Sequence, residues 1–419
     1  MRKRDGAARQ VAAPARCGYN ARMIPPRWLP VLLGFLTATG PLSTDMYLPA
    51  FPAIEASLGV PAGSAQITLS AWFVGLAIGQ LLQGMLADRF GRRAPLIAGT
   101  AVYAVANFGC VFAPDLTAFS ALRLVLAVGG SASMVIPRAI VRDLADGHAA
   151  ARLMSRLMLV MGAAPILAPT LGGAVLAVTT WHGIFWINTA YGAICAVLVW
   201  RLLPDTLPVS RRVRLRPAGL AQRFAAIGRD RVFMAYVLTG GCAMFGMFAY
   251  IGGSPPVIIG QFGASPVLYG VLFSCSAAAF IVGSQINPFL LLRWGAERVM
   301  RGAVAAYVVA TSLMLACAVA GFGGVAGLVL PAVLAMGSMG FLMPNTAVGA
   351  LSRHAAQAGS ASALMGTLQF CMAAVSGALV GLLGDGTARP LAALMVAGAL
   401  GALYADRRRP SPTRMDGPA

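Results

Sequence analysis

Charge is scarce in this 419-residue chain, and acidic charge is scarcest: 13 Asp and Glu stand against 32 Lys and Arg, and charged residues of all kinds make up 11%. A soluble domain carries about 25%. So few charges cannot cover a water-facing surface, which excludes an ordinary soluble enzyme and a disordered chain. Lysine is nearly absent, Lys3 being the only one. No GxxxxGK[ST] phosphate loop exists, so ATP hydrolysis by that device is excluded. Histidine occurs three times, as His148, His182 and His354, each near the end of an apolar segment. A histidine-based catalytic or metal centre within a membrane is excluded with it. The seven cysteines form no CxxC and stand near no histidine. They predict packing residues rather than a disulfide scaffold or metal site. No cluster of His, Asp, Glu and Ser has nucleophile or metal spacing, which argues against an intramembrane enzyme.

What fills the chain instead is apolar: 58% hydrophobic residues, with a mean hydropathy of +0.76. Length alone suggests two or three soluble domains. Composition overrides that and leaves a polytopic helical membrane protein. Twelve apolar stretches of about 20 residues can each span the hydrocarbon as helix. They cover about 28–50, 66–87, 94–113, 116–138, 153–177, 183–203, 232–253, 267–291, 300–320, 324–346, 361–383 and 389–405. Backbone satisfaction in lipid makes them helices, since barrel strands would be shorter and alternating.

The net charge of +19 raises nucleic acid as a partner. The arginines, however, sit in short runs between apolar segments, as loop anchors do, so the bilayer is the expected partner and nucleic acid is not. Residues 1–27 form a basic tail with no apolar run before Trp28 and no separate signal peptide. With that tail inside, every cation except Arg123 and Arg389 falls on the inner side. This asymmetry predicts twelve spans with both termini cytoplasmic. The Arg-rich inner connection 204–231 divides the chain into six-helix sets over 28–203 and 232–405, with a basic tail over 406–419. The expected fold class is an all-α polytopic membrane protein of two six-helix bundles.

Charged groups deep in helices are costly and usually functional. Asp45 lies in GPLSTDMYLPAFP, with Gly40, Pro41, Pro49 and Pro52 around it. Prolines free carbonyls near the carboxylate, and a carboxylate in a dry cavity can bind and release a proton. Arg123, in ALRLVLAVGGSASM, would hold a helix-1 carboxylate or helix-1 carbonyls. The inner loop GMLADRFGRRAPL offers Gly84 for close packing and Gly91 for a tight turn. In it, Asp88 can accept backbone N–H groups at the neighbouring helix start, and Arg92 can pair with Asp143 as a latch. Helix 5 carries GAAPILAPTLGG, where Gly162, Pro165, Pro169, Gly172 and Gly173 predict a bent, small-faced helix suited to a moving interface. Tyr47, Phe248, Tyr250, Asn345 and Gln369 are candidates for a cavity lining. Glu55 falls in the first outer loop, so no second membrane acid stands near that cavity.

These motifs resemble the major facilitator superfamily. GMLADRFGRR is similar to its loop signature, Arg123 with Gly129 and Gly130 to its helix-4 motif, and Gly162 through Gly173 to its antiporter-associated helix-5 motif. STDMYLPAFP, MVIPRAIVRDL, APILAPTLGG, FAYIGGSPPVI, PNTAVGAL and AGSASALMGTLQF resemble, more narrowly, the bicyclomycin/chloramphenicol-resistance branch of drug:proton antiporters. The resemblance covers about 28–405 and departs at Leu126, where Gln is frequent, and at Pro137, where Ala is common. It implies two bundles around a central cavity, rocker-switch alternating access, and export of small compounds against proton influx across a bacterial inner membrane. It implies a monomer that needs no cofactor beyond the proton gradient. Asp45 and Arg123 then match the proton-coupling or substrate positions, and Gly84, Asp88, Gly91, Arg92 and Asp143 the gating loop. Export or uptake of one metabolite by the same fold is the alternative.

Overall fold

The computed structural model describes residues 28–61, 63–144, 147–212 and 217–409. The tail 1–27 and residues 410–419 of the C-terminal tail lie outside the described residues, as do the side chains of Arg142, Arg152 and Arg156. All regular elements among the described residues are helical. The first span is a chain of short pieces: α1 (Leu29–Thr37), α2 (Thr39–Thr44), a 3-10 turn (Leu48–Ala50) and α3 (Phe51–Leu58). Then come α4 (Gln66–Phe90), α5 (Arg93–Val111), α6 (Leu116–Leu144), α7 (Gly147–Val178) and α8 (His182–Leu202). The second set comprises α10 (Arg231–Pro255), α11 (Pro266–Ala320), α12 (Gly324–Leu351), α13 (Ala358–Leu383) and α14 (Ala388–Arg407). Between the sets lies α9 (Pro217–Gly228).

Nine helical stretches among the described residues are long and apolar enough to cross a membrane. One of them, α11, has 55 residues and as a straight rod would run roughly 80 Å. It divides at Gly295, whose φ of 77° and ψ of 157° are non-helical, into the two spans expected over 267–291 and 300–320. With the broken first span and the proline-bearing α7, the spans number twelve.

Two elements differ from the sequence expectation. The helix expected over 28–50 is interrupted, because Pro41 and Pro49 carry no N–H and cannot bond to the Thr37 and Asp45 carbonyls. The Asp45 carbonyl instead accepts the Leu48 N–H in a tighter turn, at 3.4 Å. Inside the linker, α9 is a helix that composition did not signal. Its Ile227 is buried with Phe233, Val237, Ala350 and Ala361, which seats α9 on the second set.

The turn joining α4 to α5 is made at Gly91 (φ 88°, ψ 175°), the same backbone region as Gly295 in the second set. Positive φ costs a glycine nothing, so the two sets reverse direction at corresponding places by the same means. The sets meet closely at the end remote from the arginine loops. A Cβ built on Gly173 would stand 2.7 Å from the Pro266 carbonyl oxygen, and one on Gly270 2.8 Å from that of Pro169. There Ser274 Oγ donates to the Ile166 carbonyl at 2.5 Å and lies 3.1 Å from Thr170 Oγ1. Towards the arginine-rich end the sets part, leaving a vestibule of about 470 Å³ between α4 and α6 on one side and α9 and α13 on the other.

Candidate functional site

Asp45 ends α2, where the first span breaks, and it faces a cavity of about 310 Å³ between the two sets. The first set contributes Pro41, Thr44, Asp45, Phe73, Met134 and Pro165, and the second contributes Met244, Met247, Phe248, Tyr250, Phe273 and Phe370 among others. Among the described residues, Asp45 is the one charged residue in this lining. It is buried, and among the described residues nothing hydrogen-bonds to or ion-pairs with its carboxylate. A charge held here without a partner is costly, and binding a proton or a cation removes that cost. The rest of the wall is aromatic rings and thioethers, surfaces that adapt to varied apolar shapes. Phe73 and Phe248 meet across the two sets with ring centroids 4.1 Å apart.

Of the residues expected in the cavity, Phe248 and Tyr250 line it. Tyr47 lies behind it, bonded to Thr68 Oγ1 at 3.2 Å. Asn345 donates to Asn287 Oδ1 at 2.9 Å as a helix-to-helix tie, and Gln369 is buried beside Gly240. The expectation missed Phe73, Phe370 and the methionines, because apolar residues in apolar helices carry no mark of which face meets a cavity.

Arg123 is 1% exposed. Of the two ligands expected for it, it takes a carbonyl: Nη1 donates to the Ser43 oxygen at 3.0 Å. Its guanidinium stands over the Tyr47 ring at 4.0 Å and the Trp72 ring at 5.0 Å, while Nε and Nη2 have no hydrogen-bond partner among the described residues. Two aromatic faces and one carbonyl give a buried cation partial compensation without a counter-ion.

The loop after α4 is built as a cluster. Arg92 Nε donates to Asp143 at 2.8 Å and Nη1 to Asp88 at 2.5 Å. Burial alone would lower the Arg92 guanidinium, and the Asp143 and Asp88 carboxylates overcome this and hold it above its ordinary value. The task expected of Asp88, receiving a backbone N–H at the next helix start, belongs to Asp205: its Oδ1 accepts the Arg92 N–H at 2.9 Å, and its Oδ2 takes Arg212 at 2.7 Å. Asp88 is turned to Arg92 instead and stays half-exposed. Asp205 packs so tightly on Gly91 that any Cβ there would overlap its carboxylate. In the sequence, Asp205 shows only as an acid in the run Leu203-Pro204-Asp205 at the start of the linker, with nothing to mark the loop it meets. Gly84 does not serve close packing, since nothing lies within 4 Å of a Cβ built on it. It lines the vestibule.

In α7, Pro165 reaches the cavity, and Pro169, Gly172 and Gly173 face the contact with other spans. A Cβ on Gly172 would overlap the Met46 carbonyl oxygen, so this glycine lets α7 lie directly on the break beside Asp45. Gly162 belongs to α7, but its surroundings lie outside the described residues.

Comparison with known proteins agrees with this architecture. The model of the Major Facilitator Superfamily matches residues 33–378. An uncharacterized MFS-type transporter, YdgK, of Bacillus subtilis is 35% identical over 88% of this chain and 91% of its own. A bicyclomycin resistance protein homolog of Haemophilus influenzae is 30% identical over 86% of this chain and 90% of its own. Among solved structures, a partially occluded inward-open xylose transporter, XylE, from E. coli superposes with a TM-score of 0.71 at 11% identity, covering 93% of this chain and 98% of that one, a likeness of fold alone. With twelve spans in two sets about one acidic cavity, the chain belongs to the Major Facilitator Superfamily, in its bicyclomycin/chloramphenicol-resistance branch of drug:proton antiporters.

Proposed function

We propose that this transporter exports small drug-like compounds across the bacterial inner membrane in exchange for protons, by alternating access. The observation that carries this reading is the cavity itself: apolar, aromatic and thioether-lined, placed between the two sets, with the Asp45 carboxylate as the one charge among its described lining residues. Such a lining accepts varied apolar bodies, and the carboxylate supplies a site that a proton and a substrate occupy in turn. The six-helix sets 28–203 and 232–405 are the moving units. The arginine-rich end, with both termini, faces the cytoplasm in keeping with the asymmetry of positive charge. The vestibule between α4, α6, α9 and α13 is then the cytoplasmic approach, and Arg92 with Asp88, Asp143 and Asp205 stiffens its rim. Asp45 takes a proton from the outside, and its neutralisation favours return to the cytoplasm-facing state. Release of the proton inside readies the cavity for the next substrate. The protein works as a monomer and needs no cofactor other than the proton gradient.

The test is accumulation of chloramphenicol, bicyclomycin and a fluorescent cationic dye in cells with and without the protein. Lower accumulation that a protonophore restores supports proton-driven export. Accumulation unchanged across the panel overturns drug export and favours a single metabolite as substrate.

A further inference from the structure

Behind Asp45, on the side of the first set away from the cavity, lies a buried polar chain that the transport reading above leaves unused. Ser43 Oγ is 2.6 Å from the Tyr103 hydroxyl, and that hydroxyl donates to Asn188 Oδ1 at 3.1 Å. Ser43, Tyr103 and Asn188 are each at most 2% exposed. A phenol has one hydrogen, and Asn188 Oδ1 can only accept. The chain is therefore directed: Ser43 donates to Tyr103, and Tyr103 donates to Asn188. It starts at the last turn of α2, crosses α5 and ends on α8. Asn107 Nδ2 fastens the same tyrosine through its backbone carbonyl, at 2.8 Å.

The residue gripped by this chain is the one whose carbonyl holds Arg123 Nη1, and Asp45 follows it by two positions. Beyond Ser43 the chain leaves regular helix: residues 45–47 are turn, and Pro49 withholds the N–H that would tie the Asp45 carbonyl. The segment is therefore held by single contacts on either side, Ser43 before Asp45 and the Leu48 N–H, Tyr47 and Met46 after it, rather than by a continuous helical ladder. Two Arg123 nitrogens have no hydrogen-bond partner among the described residues, so an ionised carboxylate within reach would attract it. The titratable groups set around the break are Tyr47 in the segment itself, Tyr103 and Cys110 on α5, Arg123 on α6, Cys195 on α8, Tyr250 on α10 and Tyr269 on α11. Arg123 is the one that is charged at neutral pH.

We infer that Tyr103 and Asn188 are positioning residues for Asp45: through Ser43 they fix the break in the first span so that Arg123 stays on a carbonyl and Asp45 stays turned to the cavity. This rests on Asp45 being the proton site. Cutting the chain lets Arg123 exchange the Ser43 carbonyl for the Asp45 carboxylate. An opposite charge at contact distance favours ionised Asp45 and moves its titration to lower pH by about 1 unit or more.

The experiment is an infrared pH titration of the purified full-length protein, with no substrate added. The carboxyl band of Asp45 is assigned by its loss in Asp45→Asn. Tyr103→Phe removes one oxygen and leaves the ring that packs against Gly130 and Gly192. The Asp45 midpoint is expected to move to lower pH by about 1 unit in Tyr103→Phe. Ser43→Ala, which cuts the chain at its other end, is expected to give the same shift. Ser43→Thr, which keeps the hydroxyl, is expected to stay at the wild-type midpoint, and the double variant Tyr103→Phe with Ser43→Ala to shift no further than either alone. Wild-type midpoints in both folded single variants overturn the inference, and should Tyr103→Phe fail to fold, Ser43→Ala alone decides it. If no band is lost in Asp45→Asn over the accessible pH range, it is the proton-site reading that fails, and the positioning inference falls with it.

Discussion

At the scale of single residues, two backbone contacts set what the chain tolerates. Gly172 sits directly against the Met46 carbonyl, in the segment that presents Asp45. Gly172→Ala forces α7 off the break. The expected result is a loss of about 1–3 kcal/mol of stability, the usual cost of overpacking, together with a fall in efflux larger than the fall in folded protein. Thermal unfolding in detergent and transport assays on equal amounts of protein check this. Gly91 is held by its positive φ and by Asp205 together, so that turn has two reasons to be glycine. Much of this scale was legible in the sequence. Asp45 and Arg123 stood out as charges in apolar runs, and the Arg92–Asp143 pair followed from the loop spacing. The carbonyl that Arg123 takes was one of two expected ligands, and a one-dimensional reading could not choose between them. The exchange of roles between Asp88 and Asp205 was not legible, because it depends on α8 ending beside the start of α5. Nor were Ser43, Tyr103 and Asn188, whose hydroxyls and amide look like ordinary helix-to-helix ties until the fold brings three spans together.

At the scale of elements, hydropathy located the spans well because each must bury its backbone in hydrocarbon. It misjudged where helices stop. Prolines cut the first span into pieces, and hydropathy averages across such cuts. It also passed over α9, which is short and lies among arginines. Among its described side chains Ile227 is the deepest, at 1% exposed. Ile227→Ala is expected to cost about 2–5 kcal/mol locally and to release α9 from α10 and α13. Hydrogen exchange should then speed up in α9 while α10 and α13 keep their protection. Equal acceleration throughout the second set would mean that α9 is part of its core and not an attached element.

At the scale of the whole molecule, alternating access requires the contact at the end remote from the arginines to open. At that end α4 and α13 come close enough that a Cβ built on Gly377 stands 3.6 Å from Ser70 Cβ, within the range of a disulfide. The pair Ser70→Cys with Gly377→Cys is expected to stop transport under oxidation and to recover it on reduction. Transport that continues with the bond formed would show that the two sets need not separate there. The central claim is that Asp45 carries the proton exchanged for substrate. Its most direct measurement is proton movement in proteoliposomes when chloramphenicol, bicyclomycin or the cationic dye is added, for wild type and Asp45→Asn at equal folded protein. The account predicts substrate-driven proton flux in wild type and none in Asp45→Asn. Undiminished flux in Asp45→Asn would contradict it.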